Sequence, residues 1–416
     1  MSSPPNEPAV DRPPVTADVA PPGVTTEGER QTRIAGLRLP TEQLRAYSML
    51  FALVVIWGYF QWATVSELYP YGVFLHPVNF SKLLQQMSVT GVLAVGMLMV
   101  IVAGQIDLSV GSVVGLLGGV AALSQDWQGL GFAASLAAAL LGGLLVGALQ
   151  GGLVAYGNIP AFIVTLGGLL AWRGLVFILT HNETIPLQDP TFKGIGRDLL
   201  APVVGYAIAV VSIAVIVWTT LRRNATRRRH GLKAASAGAT VARIALPSVL
   251  VAAFVFYMNT QGGVPIPVVV FFSVAAVGVF LTNKTTYGRY LYAIGGNPDA
   301  ARLSGISVRP HIMAAFCLMG VLAGVASILS TSRLQSASPG EGSLLELDAI
   351  AACVIGGTSL MGGRGTVFGA LLGALIMASL DNGMSLIGVG THSQQIIKGA
   401  VLVTAVWFDM LGRRRG

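Results

Sequence analysis

Four acidic residues of this 416-residue chain stand in or beside long apolar stretches, where a charged group needs a specific role. Asp107 lies between two apolar runs, Glu346 and Asp348 begin a third, and Asp381 closes the next one. A charge at the centre of a bilayer costs about 2.5–3.5 kcal/mol on insertion scales. Such acids can line a water-filled path for a polar solute, or can take up and release protons.

Each acid also has a second interpretation, as a helix cap or as an interfacial residue whose carboxylate stays solvated. The sequence does not decide between the two for Asp107 and Asp348, and it favours the interfacial interpretation for Asp381. Arg173 falls inside another apolar run, so it is expected to pair with an acid or with a carbonyl of a broken helix. The candidate residues of a translocation path are Asp107, Ser109, Glu346, Asp348, Asp381 and Asn382.

Composition places these residues in a membrane. The chain is 53% hydrophobic and 11% charged, with a mean hydropathy of +0.70, whereas soluble domains average about 25% charged residues. The sequence predicts an all-α, polytopic integral membrane protein with about 10–12 transmembrane helices. The apolar runs lie at 49–66, 84–104, 109–124, 132–156, 159–180, 200–221, 241–259, 264–282, 311–332, 346–361, 365–381 and 394–411.

Two features of these runs indicate internal symmetry. The runs at 109–124, 346–361 and 365–381 are short and interrupted by glycine, as re-entrant or broken helices are. Asp107 and Asp348 each precede a glycine-rich stretch, and alternating spans put them at opposite depths in the two halves of the chain. This arrangement predicts inverted repeats.

The basic residues set the orientation. Residues 1–45 have the composition of a disordered tail, and residues 46–412 form the transmembrane domain. A cytoplasmic N-terminus puts most of the 26 lysines and arginines on the cytoplasmic side, including the basic loop at 222–240 and the C-terminus. The charge therefore fixes topology, and no nucleic-acid partner is expected. The basic residues left on the opposite side are Lys82, Lys193, Arg197 and Arg333.

A polar loop at 284–310 separates two apolar runs on the predicted cytoplasmic side. Its centre, GGNPDAARLSG, predicts a turn and then a short helix that Asp299 caps and that ends at Gly305. Small residues on one face suit such a helix to docking in a groove of another protein. An ordinary solvated loop is the alternative.

Other chemistry finds no support in the sequence. The five histidines and two cysteines show no metal-ligand or disulfide spacing, and no phosphate-binding glycine loop is present. No Ser-His-Asp constellation or catalytic pair of carboxylates stands out. We expect no metal, no cofactor bound by this chain, and no catalytic residue.

Three motifs carry a resemblance to a known family. Asp-Ala-Ala-x-x-x-Gly at 299–305 resembles the Glu-Ala-Ala-x-x-x-Gly loop of ABC importer permeases, and its surroundings resemble the ribose, galactose and xylose branch. The stretches at 106–112 and 346–386 are also similar to that branch, and the overall likeness favours the D-xylose permeases. Two features depart from the motif: Asp299 replaces glutamate, and no Ile-x-Leu-Pro follows Gly305.

The resemblance implies a transport subunit in a bacterial inner membrane, with both termini cytoplasmic. Its implied partners are a second permease copy, cytoplasmic ATPase subunits that use the ATP, and an extracytoplasmic sugar-binding protein. D-xylose is the expected sugar, with ribose, galactose or another sugar as alternatives. The ATPase-coupling loop would comprise Gly295, Gly296, Asn297, Asp299, Ala300, Ala301, Arg302 and Gly305.

Two other functions remain open. A proton-coupled sugar transporter would use Asp107 or Asp348 as the proton carrier, and its uptake would not need ATP. That mechanism gives the capped loop at 284–310 no role. An intramembrane enzyme or a scaffold subunit is the second alternative, and the lack of a catalytic cluster argues against the enzyme.

Overall fold

The computed structural model describes residues 31–34, 37–126, 129, 131–231 and 235–414, with side chains from 47 to 407 within these ranges. Apart from four short strands, its regular structure is helical. The helices are α1 (Thr41–Ala63), α2 (Pro77–Val102), α3 (Val110–Asp126), α4 (Phe132–Ala155), α5 (Ala161–Leu179), α6 (Pro190–Arg197), α7 (Pro202–Arg229), α8 (Ala237–Asn259), α9 (Ile266–Lys284), α10 (Thr286–Gly296), α11 (Pro298–Leu303), α12 (Val308–Leu334), α13 (Leu345–Ile355), α14 (Val367–Leu386) and α15 (Thr391–Arg414).

The chain divides into two units, residues 1–47 and residues 48–416. In the first unit, the strands β1 (Gln31–Ile34) and β2 (Leu37–Pro40) pair antiparallel, and α1 begins at Thr41. Most of the predicted disordered tail at 1–45 lies outside the described residues, so that assignment stays a prediction. The helix packing described next lies within the second unit.

Each of the twelve predicted apolar runs overlaps a helix, and the run at 346–361 continues six residues beyond the end of α13. Among the described residues, eight helices are long and apolar enough to cross a membrane: α2, α4, α5, α7, α8, α9, α12 and α14. The described part of α1 and α3 are shorter apolar helices, and α13 has 11 residues, which is too short for a span of about 20 residues. The prediction of a polytopic all-α membrane protein is confirmed.

The helix packing follows an inverted repeat, α2 to α5 against α12 to α15. Helix α2 packs on α13 and α14, and α12 packs correspondingly on α3 and α4. Each short helix, α3 or α13, also packs on the two helices that follow it. The repeats have opposite directions because an odd number of spans, α7, α8 and α9, separates them.

The contacts between connections define two ends of this unit. At the first, which we call the α11 end, the amide of Gly363 donates to the carbonyl of Val102 over 2.9 Å, and Gly295 packs against both residues. At the opposite end, strand β3 (Ile185–Pro186) pairs with β4 (Ser336–Ala337). The α5–α6 and α12–α13 connections are thereby joined.

Glycines allow α4 and α12 to lie backbone to backbone. A Cβ atom at Gly147 would meet the carbonyl of Phe316 and the Cα atom of Cys317, and one at Gly320 would meet the backbone of Gly143. This is the close approach that small residues at four-residue spacing allow in membrane helices. These glycines therefore set the close packing of α4 on α12.

Gly147→Ala is expected to destabilise the protein by about 1–3 kcal/mol, because the added methyl must push α4 away from α12. Gly152→Ala on the same helix is the matched control, since a Cβ there meets nothing within 4 Å. Denaturant unfolding of both variants in mixed micelles measures the difference. Equal stability of the two would show that the close approach does not limit packing.

Candidate functional site

Helix α11 has complete caps at both ends. The Asn297 side chain accepts from the amides of Asp299 and Ala300 at 3.1 and 3.0 Å, so the prediction that Asp299 caps the helix was wrong. Proline at the first helical position, Pro298, also marks the residue before it as the cap. Gly305 has a φ of +83° and ends the helix as predicted.

The C-terminal end of α11 is a Schellman motif. The amide of Ile306 donates to the carbonyl of Ala301, and the amide of Gly305 donates to that of Arg302, both over 3.0 Å. These bonds satisfy carbonyls that a six-residue helix would otherwise leave free. The short helix is therefore held as a fixed structural element.

The predicted coupling residues divide into two groups. Gly295 and Ala301 are buried within this chain, so their small size serves internal packing. Exposed positions comprise Gly296, Asn297, Asp299, Ala300, Arg302 and Gly305. The sequence analysis missed Leu303, which is 90% exposed at the tip of α11. The caps hold this apolar side chain in a fixed, exposed position, where another protein could contact it.

Asp107 and Ser109 form a buried hydrogen-bonded group before α3. One Asp107 carboxylate oxygen accepts from the Ser109 amide at 2.9 Å and from its hydroxyl at 2.7 Å. The Gln150 amide of α4 donates to the Ser109 hydroxyl at 2.8 Å. The adjoining cavity is only about 10 Å³, room for about one water molecule. A sugar does not fit beside Asp107 in this conformation.

Lys398 joins two of the other predicted path residues. Its ammonium lies 3.0 Å from the Asp348 carboxylate and 2.8 Å from that of Asp381. The Asp348 and Asp381 side chains are 9% and 14% exposed, so the interpretation of Asp381 as a solvated interfacial residue was wrong. The three residues link α13, α14 and α15. Their net charge is −1.

Glu346 makes no side-chain hydrogen bond or ion pair with the Asp107–Ser109 group or with the Lys398–Asp348–Asp381 group. It is buried, and one carboxylate oxygen has no hydrogen-bond partner among the described residues. The charges of Arg173, Asp348 and Asp107 act on it. A Cβ at Gly111 would overlap its carboxylate, so the predicted glycine-rich stretch makes room for this acid.

Arg173 was predicted to pair with an acid or with a backbone carbonyl, and it binds backbone carbonyls. Its guanidinium donates to the carbonyls of Pro339 at 3.1 Å and Glu341 at 2.7 Å. Glu341, which the sequence analysis missed, is buried in the connection before α13 and accepts from Thr331. That place corresponds to Asp107 before α3. The repeat counterpart of Asp107 is therefore Glu341, and the predicted pairing with Asp348 was wrong.

Arg173→Met is expected to lower the free energy of unfolding by about 2 kcal/mol, because two carbonyls of the α12–α13 connection lose a charged donor. Arg309→Met is the matched control, since Arg309 is exposed. Urea unfolding in micelles measures both. A loss no larger than that of the control would contradict a structural role for the Arg173 bonds.

A cavity of about 670 Å³ opens between α2, α6, α12 and α14 at the end opposite α11. Its volume is in the range of about 300–1,000 Å³ typical of small-molecule sites. Helix α2 lines it with a polar stripe of Ser81, Lys82, Gln85 and Gln86. Asn382 also lines it, and is the predicted path residue that this cavity reaches. The helical spacing of these four residues predicts a polar stripe on one face. The sequence analysis missed it because the predicted apolar run began at residue 84, after Ser81 and Lys82.

Among the described residues, no group of three or more His, Cys, Asp or Glu side chains is placed to hold a metal ion. The expected absence of a metal and of a bound cofactor stays a prediction.

Residues 79–406 match the family described as the branched-chain amino acid transport system / permease component. The xylose transport system permease protein XylH of Escherichia coli (strain K12) is 43% identical over 377 residues, which cover 91% of this chain and 94% of that protein. Its Haemophilus influenzae namesake is 42% identical over 91% of this chain and 99% of the relative.

The ribose import permease protein RbsC of Escherichia coli (strain K12) is 36% identical over 80% of this chain and 85% of that protein. No solved structure matches the chain significantly. The match spans α2 to α15, including the cavity, the acids and α11. The chain therefore belongs to this family of transport-system permease components and is a multi-pass membrane protein.

Proposed function

We propose that this chain is the membrane-spanning subunit of an ATP-binding-cassette importer that moves D-xylose across the bacterial inner membrane. The observation that carries the proposal is the rigid, doubly capped α11 with Leu303 exposed at its tip. A helix of six residues that is fixed at both ends transmits movement of a bound partner to the spans on either side. The similarity to xylose permeases supports the choice of sugar.

The importer needs partners that this chain does not supply. Cytoplasmic ATPase subunits dock at α11 and use the ATP, so this subunit itself holds no cofactor and catalyses no reaction. A second permease copy completes the path, and an extracytoplasmic binding protein delivers the sugar to the opposite end. In the topology predicted from the sequence, most basic residues fall on the same side as the loop at 284–310, which supports cytoplasmic termini.

Switching between two access states follows from the position of the connections. Gly295, Gly363 and Val102 bring the α10–α11 connection against the ends of α2 and the loop before α14. Movement of α11 therefore acts directly on helices that line the cavity. Closure of the ATPase pair would rotate these helices as rigid bodies and move the opening from one end to the other.

Ribose is the second candidate sugar, because the RbsC match also covers most of the chain. Proton coupling is less well supported. Asp348 is paired with Lys398, and Asp107 accepts two hydrogen bonds from Ser109, so each carboxylate already has partners. A ribose importer would use α11 in the same way, whereas a proton-coupled transporter gives α11 no role.

Uptake by proteoliposomes tests the proposal. The chain is reconstituted with its ATPase and binding protein, and radiolabelled xylose, ribose and galactose are compared with and without ATP. We expect xylose uptake that requires ATP and both partners. Uptake by this chain alone, sensitive to an uncoupler and indifferent to ATP, would overturn the proposal.

A further inference from the structure

The basic residues at the end opposite α11 gather at one place. The positive-inside rule disfavours lysine and arginine on the outer side of a membrane protein. Of the four basic residues assigned to that side, Lys82, Arg197 and Arg333 all line the 670 Å³ cavity. The residues come from α2, the end of α6 and the last turn of α12. Three helices thus bring together cations that the positive-inside rule disfavours on this side. This clustering indicates that the cations have a function at the cavity.

The cavity has no acid to neutralise them. Among the described residues that line it, none is acidic. The charge of Glu341 acts on Arg333, but Glu341 is buried and is not among the lining residues. The Nε atom of Arg333 is buried and has no hydrogen-bond partner among the described residues. The cavity is therefore cationic, and the Nε–H group of Arg333 is a hydrogen-bond donor without an acceptor among the described residues.

Amide side chains provide the neutral part of the lining. Asn382 is held by a reciprocal pair with Asn79, at 2.8 and 3.2 Å, which fixes its orientation and leaves hydrogen-bonding capacity. The side chains of Gln85 and Gln86 make no hydrogen bond to another described residue. Amides that both donate and accept suit hydroxyl groups, which also do both.

We propose that this cavity is the outer vestibule of the solute path and selects solutes by charge. Lys82, Arg197 and Arg333 repel cationic solutes and admit neutral or anionic polyhydroxyl compounds. Gln85, Gln86 and Asn382 hydrogen-bond the hydroxyl groups of the solute. This inference rests on the proposed transport function and names the residues of this chain that select its solute class.

Charged thiol reagents test the vestibule directly. Cys317 and Cys353 are first replaced by serine and alanine, and Gln85→Cys is introduced in that background. The protein in nanodiscs is then labelled with an anionic sulfonatoethyl or a cationic trimethylammonioethyl methanethiosulfonate. Leu68→Cys is the matched control, because Leu68 is 80% exposed in the connection before α2.

We expect the ratio of anionic to cationic labelling rates to be about tenfold higher at Gln85→Cys than at Leu68→Cys. Combined Lys82→Gln, Arg197→Gln and Arg333→Gln substitutions should bring the two ratios together. Lys82→Gln alone, which changes an exposed side chain, should remove part of the difference even if the triple variant folds poorly.

D-xylose protection is measured at Val78→Cys in the same background, because Val78 lines the cavity and this variant keeps all three amides. Xylose should slow labelling there by about threefold once its concentration is twice the dissociation constant, and should not affect Leu68→Cys. Equal ratios at the two sites, a preference for the cationic reagent at Gln85→Cys, or no protection by xylose would each overturn the proposal. Labelling needs neither ATP nor partners. Failure here alongside ATP-driven uptake would therefore refute the vestibule alone, and leave the transport function standing.

Discussion

Leu303→Asp is expected to reduce ATP-driven xylose uptake by about tenfold or more while the chain still inserts and folds. Leu303 is 90% exposed at the tip of α11, so its replacement removes no internal contact of consequence. In a complex, the same side chain would be desolvated in a groove of the ATPase, where a carboxylate without a partner is unfavourable. The effect should therefore appear only when the partner is present.

Two measurements separate docking from folding. Co-purification with the ATPase should be lost in Leu303→Asp, whereas the thermal unfolding midpoint of the isolated chain should not change. Leu303→Met is the matched control, because it keeps an apolar side chain of similar volume and should retain uptake. Normal uptake by Leu303→Asp would show that α11 does not dock by this residue.

The helices were predictable because bilayer thickness imposes a length on apolar runs. All twelve predicted runs overlap helices, and the polar loop at 284–310 contains the short helix that its turn residues indicated. The predicted start of a helix was wrong where polar residues continue a span. Helix α2 begins at Pro77, seven residues before the predicted run, since Ser81, Lys82, Gln85 and Gln86 face a cavity.

The sequence contained the information needed to avoid the two errors at α11. Asp299 and Asn297 are both good cap residues, and Pro298 at the first helical position would have selected Asn297. Leu303 is the large apolar residue of α11 and falls at a variable position of the Asp-Ala-Ala-x-x-x-Gly motif, so the motif alone does not single it out. Its position in the last turn of a short amphipathic segment was visible in the sequence.

The partners of the acids could not be predicted. Lys398 pairs with Asp348 and Asp381, which are 50 and 17 residues away in the chain, and only the docking of α15 on α13 and α14 brings them together. The burial of Glu341 likewise depends on how its connection folds back to Arg173. Such pairings are set by tertiary packing.

Lys398→Met is expected to destabilise the protein by about 3–5 kcal/mol, the second large effect, because it leaves two buried carboxylates without a counter-charge. The Asp348 and Asp381 carboxylates share this one ammonium, at 3.0 and 2.8 Å. A variant that carries Asp348→Asn and Asp381→Asn together with Lys398→Met removes all three charges and should recover most of the loss.

Urea unfolding of the single and triple variants in mixed micelles measures this recovery. Because α15 meets α13 and α14 through only a few contacts besides this ion triad, Lys398→Met should also expose α15 to limited proteolysis. If the triad only filled space, the triple variant would be as unstable as Lys398→Met, since both lack the same ammonium. Recovery in the triple variant therefore identifies charge compensation as the function of Lys398.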